Sequence, residues 1–296
     1  MHDCFTDVPG LAIGHAHDGA VRTGVTLIVP DAPMVMAVDV RGGGPGTRET
    51  DALDPSTLVE RVHGLALAGG SVFGLAAADE LVLLLSAAGK GLVVGPGLPV
   101  VPVVPAAILF DLGNGGDKAW GVEPPYRRLA RQAFAALGKD GDAGGAVGAG
   151  HGAMAGSRRG GIGSVSATLS SGHRIGALVA CNSFGEVYPG APPEGPVPMP
   201  KRRVADELTR RNTSIGAVAT DAPLTRAQAQ RVAMMAQDGL ARAIRPIHCP
   251  FDGDAIFVIS TAPEGSGGSD PFMLTEIGTI AADLVARAVR RAVFGG

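Results

Sequence analysis

The sequence is poor in aromatic residues, which make up 4% of 296, with one Trp, two Tyr and nine Phe. So few rings argue against a surface that stacks nucleic-acid bases. A positive field is also missing. The net charge is -3, which excludes strong attraction to phosphate polymers or anionic lipid. Cysteine is scarce. Cys4, Cys181 and Cys249 are odd in number and widely spaced, and make neither a disulfide framework nor a zinc motif. Cys181 and Cys249 are expected to be small buried apolar residues. Met1-His2-Asp3-Cys4 lacks the basic and apolar regions of a secretory signal, so a reducing cytoplasmic compartment is expected. The most apolar stretch, 92–110, carries Pro96, Pro99, Pro102 and Pro105, and too many donors are missing there for a membrane helix.

What is present is glycine (45), proline (22) and a 46% apolar share. Together they describe a loop-rich globular chain, long enough to bury a large core. Residues 25–29 and 34–40, separated by Pro30-Asp31-Ala32-Pro33, read as a hairpin. Residues 70–88 read as a buried helix ending at Gly89, with Ser71 in a capping role and Asp79 and Glu80 breaking the apolar run. Residues 164–169 and 175–181 read as two strands joined at Ser171-Gly172-His173. The proline-rich segment 189–200 reads as an exposed loop ending in Lys201-Arg202-Arg203. A strand is expected over 213–220, and then a helix with Thr225 and Gln228 as a capping box. Ala229, Val232, Ala233, Ala236, Leu240 and Ala243 would form its apolar face. A strand over 255–261 and a last helix opened by Asp270-Pro271 complete the chain. Paired strands beside long helices predict α+β layers rather than βαβ alternation.

Two glycine tracts, 41–48 and 141–163, fit no phosphate-loop or dinucleotide pattern; positive φ and close backbone approach are the expected reasons for them, with a backbone cradle for substrate as the alternative. His15 and His17 share one side if extended, but no third ligand cluster follows and no metal is expected. His63, His151, His173 and His248 are isolated and read as structural. No serine-hydrolase elbow is present.

Arg210-Arg211-Asn212-Thr213-Ser214-Ile215-Gly216 is more informative. A cut between Asn212 and Thr213 would give one residue both a hydroxyl and a free α-amine. With a reference pKa of roughly 7.7–8.0, that amine can serve as the base for the hydroxyl beside it. Further on, Asp252-Gly253-Asp254 sets two carboxylates one residue apart, on the same side if extended. One is expected to bond the Thr213 hydroxyl or amine while the other orients it. Their proximity raises a pKa and makes one a candidate proton carrier.

At these residues the chain resembles the self-processing aminopeptidases, which include the β-peptidyl aminopeptidases, the L-aminopeptidase/D-esterases and the nylon-oligomer hydrolases. The matching stretches are Thr6-Asp7-Val8-Pro9-Gly10-Leu11, residues 41–50, 67–75 and 147–153, Asn212-Thr213-Ser214-Ile215-Gly216 and Asp252-Gly253-Asp254. They follow the family's order over nearly the whole chain. The resemblance implies an α+β fold, a four-layer αββα sandwich of the ornithine-acetyltransferase (DOM) type with mostly antiparallel sheets. It implies a single domain over 1–296, self-cleaved between Asn212 and Thr213 into an α chain 1–212 and a β chain 213–296. Thr213 maps onto the nucleophile, Asp252 and Asp254 onto the acidic support, and Asn182 onto the asparagine that helps bind oxyanion or substrate. Thr213 with two aspartates is similar to the nylon-oligomer branch. A tyrosine that some relatives carry near 101–102 has no match, with Phe110 close by, and Arg158 or Arg159 is the nearest counterpart of a substrate-side lysine.

The expected function is therefore a self-processing N-terminal-threonine hydrolase that cuts an amide next to a free amino terminus. It would act on a peptide or small amide without cofactor, metal, nucleic-acid or membrane partner, as a homotetramer of processed αβ units. The alternatives are an acyltransferase on the same scaffold, an amide-oligomer hydrolase, and an unprocessed binding protein.

Overall fold

Alternate residues along the strands are apolar toward two different cores, and this fixes the layering. The computed structural model describes residues 2–138, 143–196 and 212–295. In the first half the strands are β1 (Leu11–Asp18), β2 (Thr23–Pro30), β3 (Val35–Val40), β4 (Thr47–Arg48), β5 (Leu65–Ala68) and β6 (Ala106–Ile108). Then come β7 (Met154–Ala155), β8 (Arg158–Arg159), β9 (Gly161–Thr168), β10 (Arg174–Cys181) and β11 (Glu186–Val187). Last are β12 (Ile215–Thr220), β13 (Ile244–Arg245) and β14 (Ala255–Ser260). The helices are α1 (Ala76–Ala87), α2 (Tyr126–Ala135), α3 (Arg226–Ala243) and α4 (Pro271–Phe294).

Two five-stranded sheets form, ordered β1-β2-β5-β6-β4 and β3-β14-β12-β10-β9. Only β5–β6 and β12–β14 are parallel pairs within them. Along β12, Ile215, Ala217 and Ala219 face the core between the sheets, whereas Val218 faces α3 and α4. Phe257 and Ile259 of β14 join the inter-sheet core while Ile256 and Val258 point to the helices. On the far side, Val25, Leu27 and Val29 of β2 pack against α1 and α2. Three cores separate four layers, which is the αββα sandwich.

The two long helices form where the pattern predicts. Thr225 accepts the Gln228 N–H while the Gln228 side chain accepts the Thr225 N–H, the two bonds of a capping box. All six residues of the predicted α3 face are buried. Asp270 caps α4 by accepting the N–H groups of Phe272 and Met273. In α1, the two acids that interrupt the apolar run tie the outer layer together. Glu80 is buried and takes a two-point bond from Arg131 of α2, at 2.6 and 3.1 Å. Asp79 pairs with Arg48 and Arg127.

Three local expectations are corrected. Residues 25–29 and 34–40 do not pair with each other; β2 lies between β1 and β5, and β3 pairs with β14 in the other sheet. All eight residues of β2 are buried, so it needs partners on both edges and cover on both faces, which a two-stranded hairpin cannot supply. The segment 70–88 opens as a 3-10 turn, Ser71–Leu75, before α1. Ser71 sits at φ +53° and makes no side-chain cap; its N–H instead donates to the Leu109 carbonyl. Cys181 is fully buried, but Cys249 is half-buried, on the loop before β14. By contrast, the β9–β10 hairpin pairs over its full length. Residues 189–196 are in bends and irregular chain, and the basic cluster Lys201-Arg202-Arg203 lies outside the described residues.

Candidate active site

The parallel pairing of β12 and β14 builds the site. Because Ile215 lies opposite Ala255, the two strands begin at the same end of the sheet. The residues just before each strand therefore meet: Thr213-Ser214 on one side, Asp252-Gly253-Asp254 on the other. β10 runs antiparallel to β12 and ends at this edge, which delivers Asn182. β3 ends there too, beside β14, and delivers the glycine-rich loop after Val40.

Thr213, Asn182, Asp252 and Asp254 are all buried, at 4%, 2%, 0% and 0% exposure. The Thr213 N–H donates to the Asn182 carbonyl at 2.7 Å. Its hydroxyl donates to the Asn212 carbonyl at 2.6 Å and accepts the Gly253 N–H at 3.0 Å. The same Gly253 N–H lies 3.2 Å from the Asn212 carbonyl oxygen. A hydroxyl and the carbonyl of the preceding peptide bond thus share one backbone donor. The Asn212 side chain anchors the upstream residue by donating to the Ser183 carbonyl at 2.7 Å.

The carboxylates do not bond Thr213, contrary to the expectation above. Asp252 accepts the N–H groups of Phe184 and Cys249 at 3.3 and 3.1 Å. Asp254 accepts the Ser214 N–H at 2.8 Å on one oxygen. On the other it accepts the His248 N–H at 3.1 Å, with the His248 Nδ1 2.9 Å away. Their oxygens meet buried backbone donors, and the residue between them reaches the hydroxyl instead. Burial, and then the charge of Asp254, push the Asp252 carboxyl up to about 7. Asn182 is likewise held by backbone: its amide donates to the Phe110 carbonyl at 3.0 Å and its oxygen accepts the Met154 N–H at 2.8 Å. One amide hydrogen is left over.

Sequence reasoning missed Gly253, His248 and Cys249. His248 was read as isolated, yet it touches Asp254 through two atoms and sits at φ +55°. The signal for Gly253 was its place between two acids. A Cβ there would come 2.8 Å from both the Thr213 hydroxyl and the Gly44 carbonyl, so no side chain fits without displacement. The first glycine tract has the same cause. A Cβ on Gly42 would collide with the backbone of Asp252 and Asp254. The tract packs on the acidic loop, as close backbone approach requires.

Other candidates lie elsewhere. His15 bonds Thr26, and His17 stacks on His151 with centroids 4.3 Å apart. Among the described residues no group of three His, Cys, Asp or Glu is placed to hold a metal ion. Arg158 lies over the Phe294 ring. Among the described residues no helix is long and apolar enough to cross a membrane.

The sequence pattern of peptidase family S58 matches residues 3–296. The chain belongs to peptidase family S58. A relative from Mycobacterium leprae, the uncharacterized aminopeptidase ML1167, is 42% identical over 98% of this chain and 89% of its own length. A 6-aminohexanoate-oligomer endohydrolase from a Kocuria species is 27% identical over 97% of this chain and 84% of its own. The fold of this S58 chain matches that of an L-aminopeptidase D-Ala-esterase/amidase from Ochrobactrum anthropi, described as a variant of the Ntn hydrolase fold. The TM-score is 0.75 with 22% identity, covering 98% of this chain and 85% of that one. Family membership makes this S58 protein a hydrolase, an aminopeptidase or amidohydrolase, and its fold is that of the Ntn hydrolase variant.

Proposed function

We propose that the chain is a precursor that cuts itself between Asn212 and Thr213 and then acts as an aminopeptidase through Thr213. One observation carries the reading: the Thr213 hydroxyl lies against the Asn212 carbonyl with the Gly253 N–H shared between them. In the precursor, the Thr213 Oγ attacks the Asn212 carbonyl carbon. Negative charge develops on the Asn212 oxygen, where Gly253 donates. The peptide bond between the Asn212 carbonyl carbon and the Thr213 nitrogen breaks, the hydroxyl proton ends on the departing Thr213 nitrogen, and an ester links Asn212 to Oγ. Water hydrolyses that ester and frees the amine.

In the mature enzyme the amine lies next to the Asn182 carbonyl, which accepts its N–H in the precursor. It takes the Oγ proton as Oγ attacks the substrate carbonyl, and returns it to the leaving amine. Asn182 contributes its spare amide hydrogen, Asp254 holds Ser214 in place, and Asp252, with its raised pKa, supplies a proton reservoir near neutral pH. The test is a denaturing gel with N-terminal sequencing, run beside an assay for release of N-terminal residues. Expected are a fragment of about 8 kDa, pro rata from 29.7 kDa for 296 residues, beginning Thr-Ser-Ile-Gly, and activity on unblocked peptides. A single intact chain with full peptidase activity would overturn the reading. Likeness to an oligomer endohydrolase favours a second reading, internal cleavage of amide oligomers. Hydrolysis of N-acetylated substrates as fast as free ones would select it.

His248 provides a sharper check on the acidic support. His248→Ala should slow self-cleavage by about 10- to 100-fold, the range for a hydrogen bond to a charged group. His248→Asn should stay near wild type, because Asn tolerates positive φ and its amide can replace Nδ1. His248→Gly relieves the backbone but removes the donor, so it should behave as Ala does. A gel time course separates the three.

The raised Asp252 pKa also sets a stability prediction. A carboxyl raised from near 3.9 to about 7 favours the folded state when protonated. Relative to an Asp252→Asn partner, stability is highest below about pH 4 and falls as pH rises from there to about 7. Urea unfolding of both chains in a Thr213→Ala background checks it, and an Asp-minus-Asn stability difference that stays flat or rises between about pH 4 and 8 would contradict it.

A further inference from the structure

Beside Asn182 lies a cavity of about 400 Å³ whose wall includes Arg22, Asn114, His151, Gly152, Met154 and Arg159. Its connection to the nucleophile runs through two bonds. The Met154 N–H donates to the Asn182 side chain, and the Asn182 carbonyl accepts the Thr213 N–H. That chain of contacts puts the wall on the order of 10 Å from the Thr213 nitrogen, the span of about two to three extended residues.

The cavity carries positive charge and no acid lines it. Arg22 spends one donor on the Asn114 carbonyl at 2.7 Å. Arg159 makes a 3.5 Å contact with the His151 carbonyl. Neither guanidinium has a carboxylate partner among the described residues. Asn114 is itself held by bonds to the Arg22 and Gly152 carbonyls, so the Arg22 backbone is braced. Asp111 packs behind Gly152: one of its oxygens accepts the Gly70 N–H at 2.7 Å, and the other is buried against Gly152. Its burial pushes its pKa up, which disfavours a negative charge there.

An aminopeptidase substrate brings a positive amino terminus, which this cavity repels. It suits the opposite end of the substrate. We infer that Arg22 and Arg159 form a carboxylate subsite that receives the free C-terminus of a short peptide, so that the substrate class is di- and tripeptides with an unblocked carboxyl end. This rests on the aminopeptidase reading above and names the substrate class for it. Two guanidinium groups without anionic partners are suited to two-point binding of a carboxylate.

The test uses the mature wild-type enzyme with matched pairs: Ala-Gly-Gly and β-Ala-Gly-Gly, each as the free acid and as the C-terminal amide. At low salt the acids should show kcat/KM about 10- to 100-fold above the amides, as expected for a charge-assisted contact. The gap should shrink near 1 M salt. Arg159→Gln, an exposed position that spares the fold, and Arg22→Gln should lower turnover of the acids and leave the amides unchanged. Equal rates for acid and amide, or variants that slow both alike, would overturn the subsite. If no peptide of either kind is cleaved, the aminopeptidase reading fails separately. Calorimetry with the same pairs then decides the subsite: tighter binding of the acids supports it, and equal affinity sinks it.

Discussion

Thr213→Ala should migrate as one chain of 29.7 kDa under all conditions and show no peptidase activity. The change removes the only hydroxyl in contact with the Asn212 carbonyl among the described residues. It leaves little structural damage to confuse the result. Gly253, which donates to the lost hydroxyl, keeps the Asn212 carbonyl as partner at 3.2 Å, so no buried donor is orphaned. The Thr213 N–H keeps its bond to Asn182. Thr213→Ser retains the attacking atom and should still be cut, within about tenfold of the wild-type rate. A time course on gels for the three chains, with circular dichroism to verify folding, makes the comparison. Normal fragment formation by the Ala chain would remove the basis for the proposed mechanism.

Gly253→Ala should slow self-cleavage by about 100- to 1,000-fold, the usual loss when one oxyanion donor is displaced. The added methyl would stand 2.8 Å from the Thr213 hydroxyl and from the Gly44 carbonyl, and 3.1 Å from the Pro45 Cα. Two of these neighbours are backbone and cannot swing away, so the loop or the hydroxyl must shift. Either movement separates the donor from the carbonyl that it serves. The effect should exceed that of His248→Ala, because His248 acts on the nucleophile only through Asp254 and Ser214. Cleavage assays at several temperatures would rank the two, and a Gly253→Ala chain that matures at the wild-type rate would remove this donor from the mechanism.

Local features were the most legible in the sequence. The Thr225–Gln228 box, the Asp270-Pro271 start and the β9–β10 turn depend on residues a few positions apart, and each forms as read. Partner choice across the chain was not legible. The two apolar runs at 25–29 and 34–40 are adjacent in sequence yet belong to opposite sheets, because burial on both faces outweighs proximity. The site shows the same division. Thr213, Asn182, Asp252 and Asp254 were identified by residue type and resemblance, and the structure gathers them at one sheet edge. Which atom meets which was hidden, since it depends on backbone N–H groups that carry no sequence signature. Gly253 reaches the hydroxyl through its amide, and the two acids face away toward loop donors.

The strand order of the second sheet has a consequence for the proposed cut at 212/213. Reading across it, β3 is followed by β14 and β12, and then by β10 and β9. A break at 212/213 would leave the middle two strands on one fragment and both flanks on the other. The short fragment would be clamped on either side by ladders from the long one, like a tenon in a mortise, with α3 and α4 closing over the joint. Neither fragment could slip free without unzipping two strand interfaces at once. Dilution should therefore not dissociate them, and denaturation of the cut protein should be hard to reverse, since two separate polypeptides would have to find the same interlocked arrangement again.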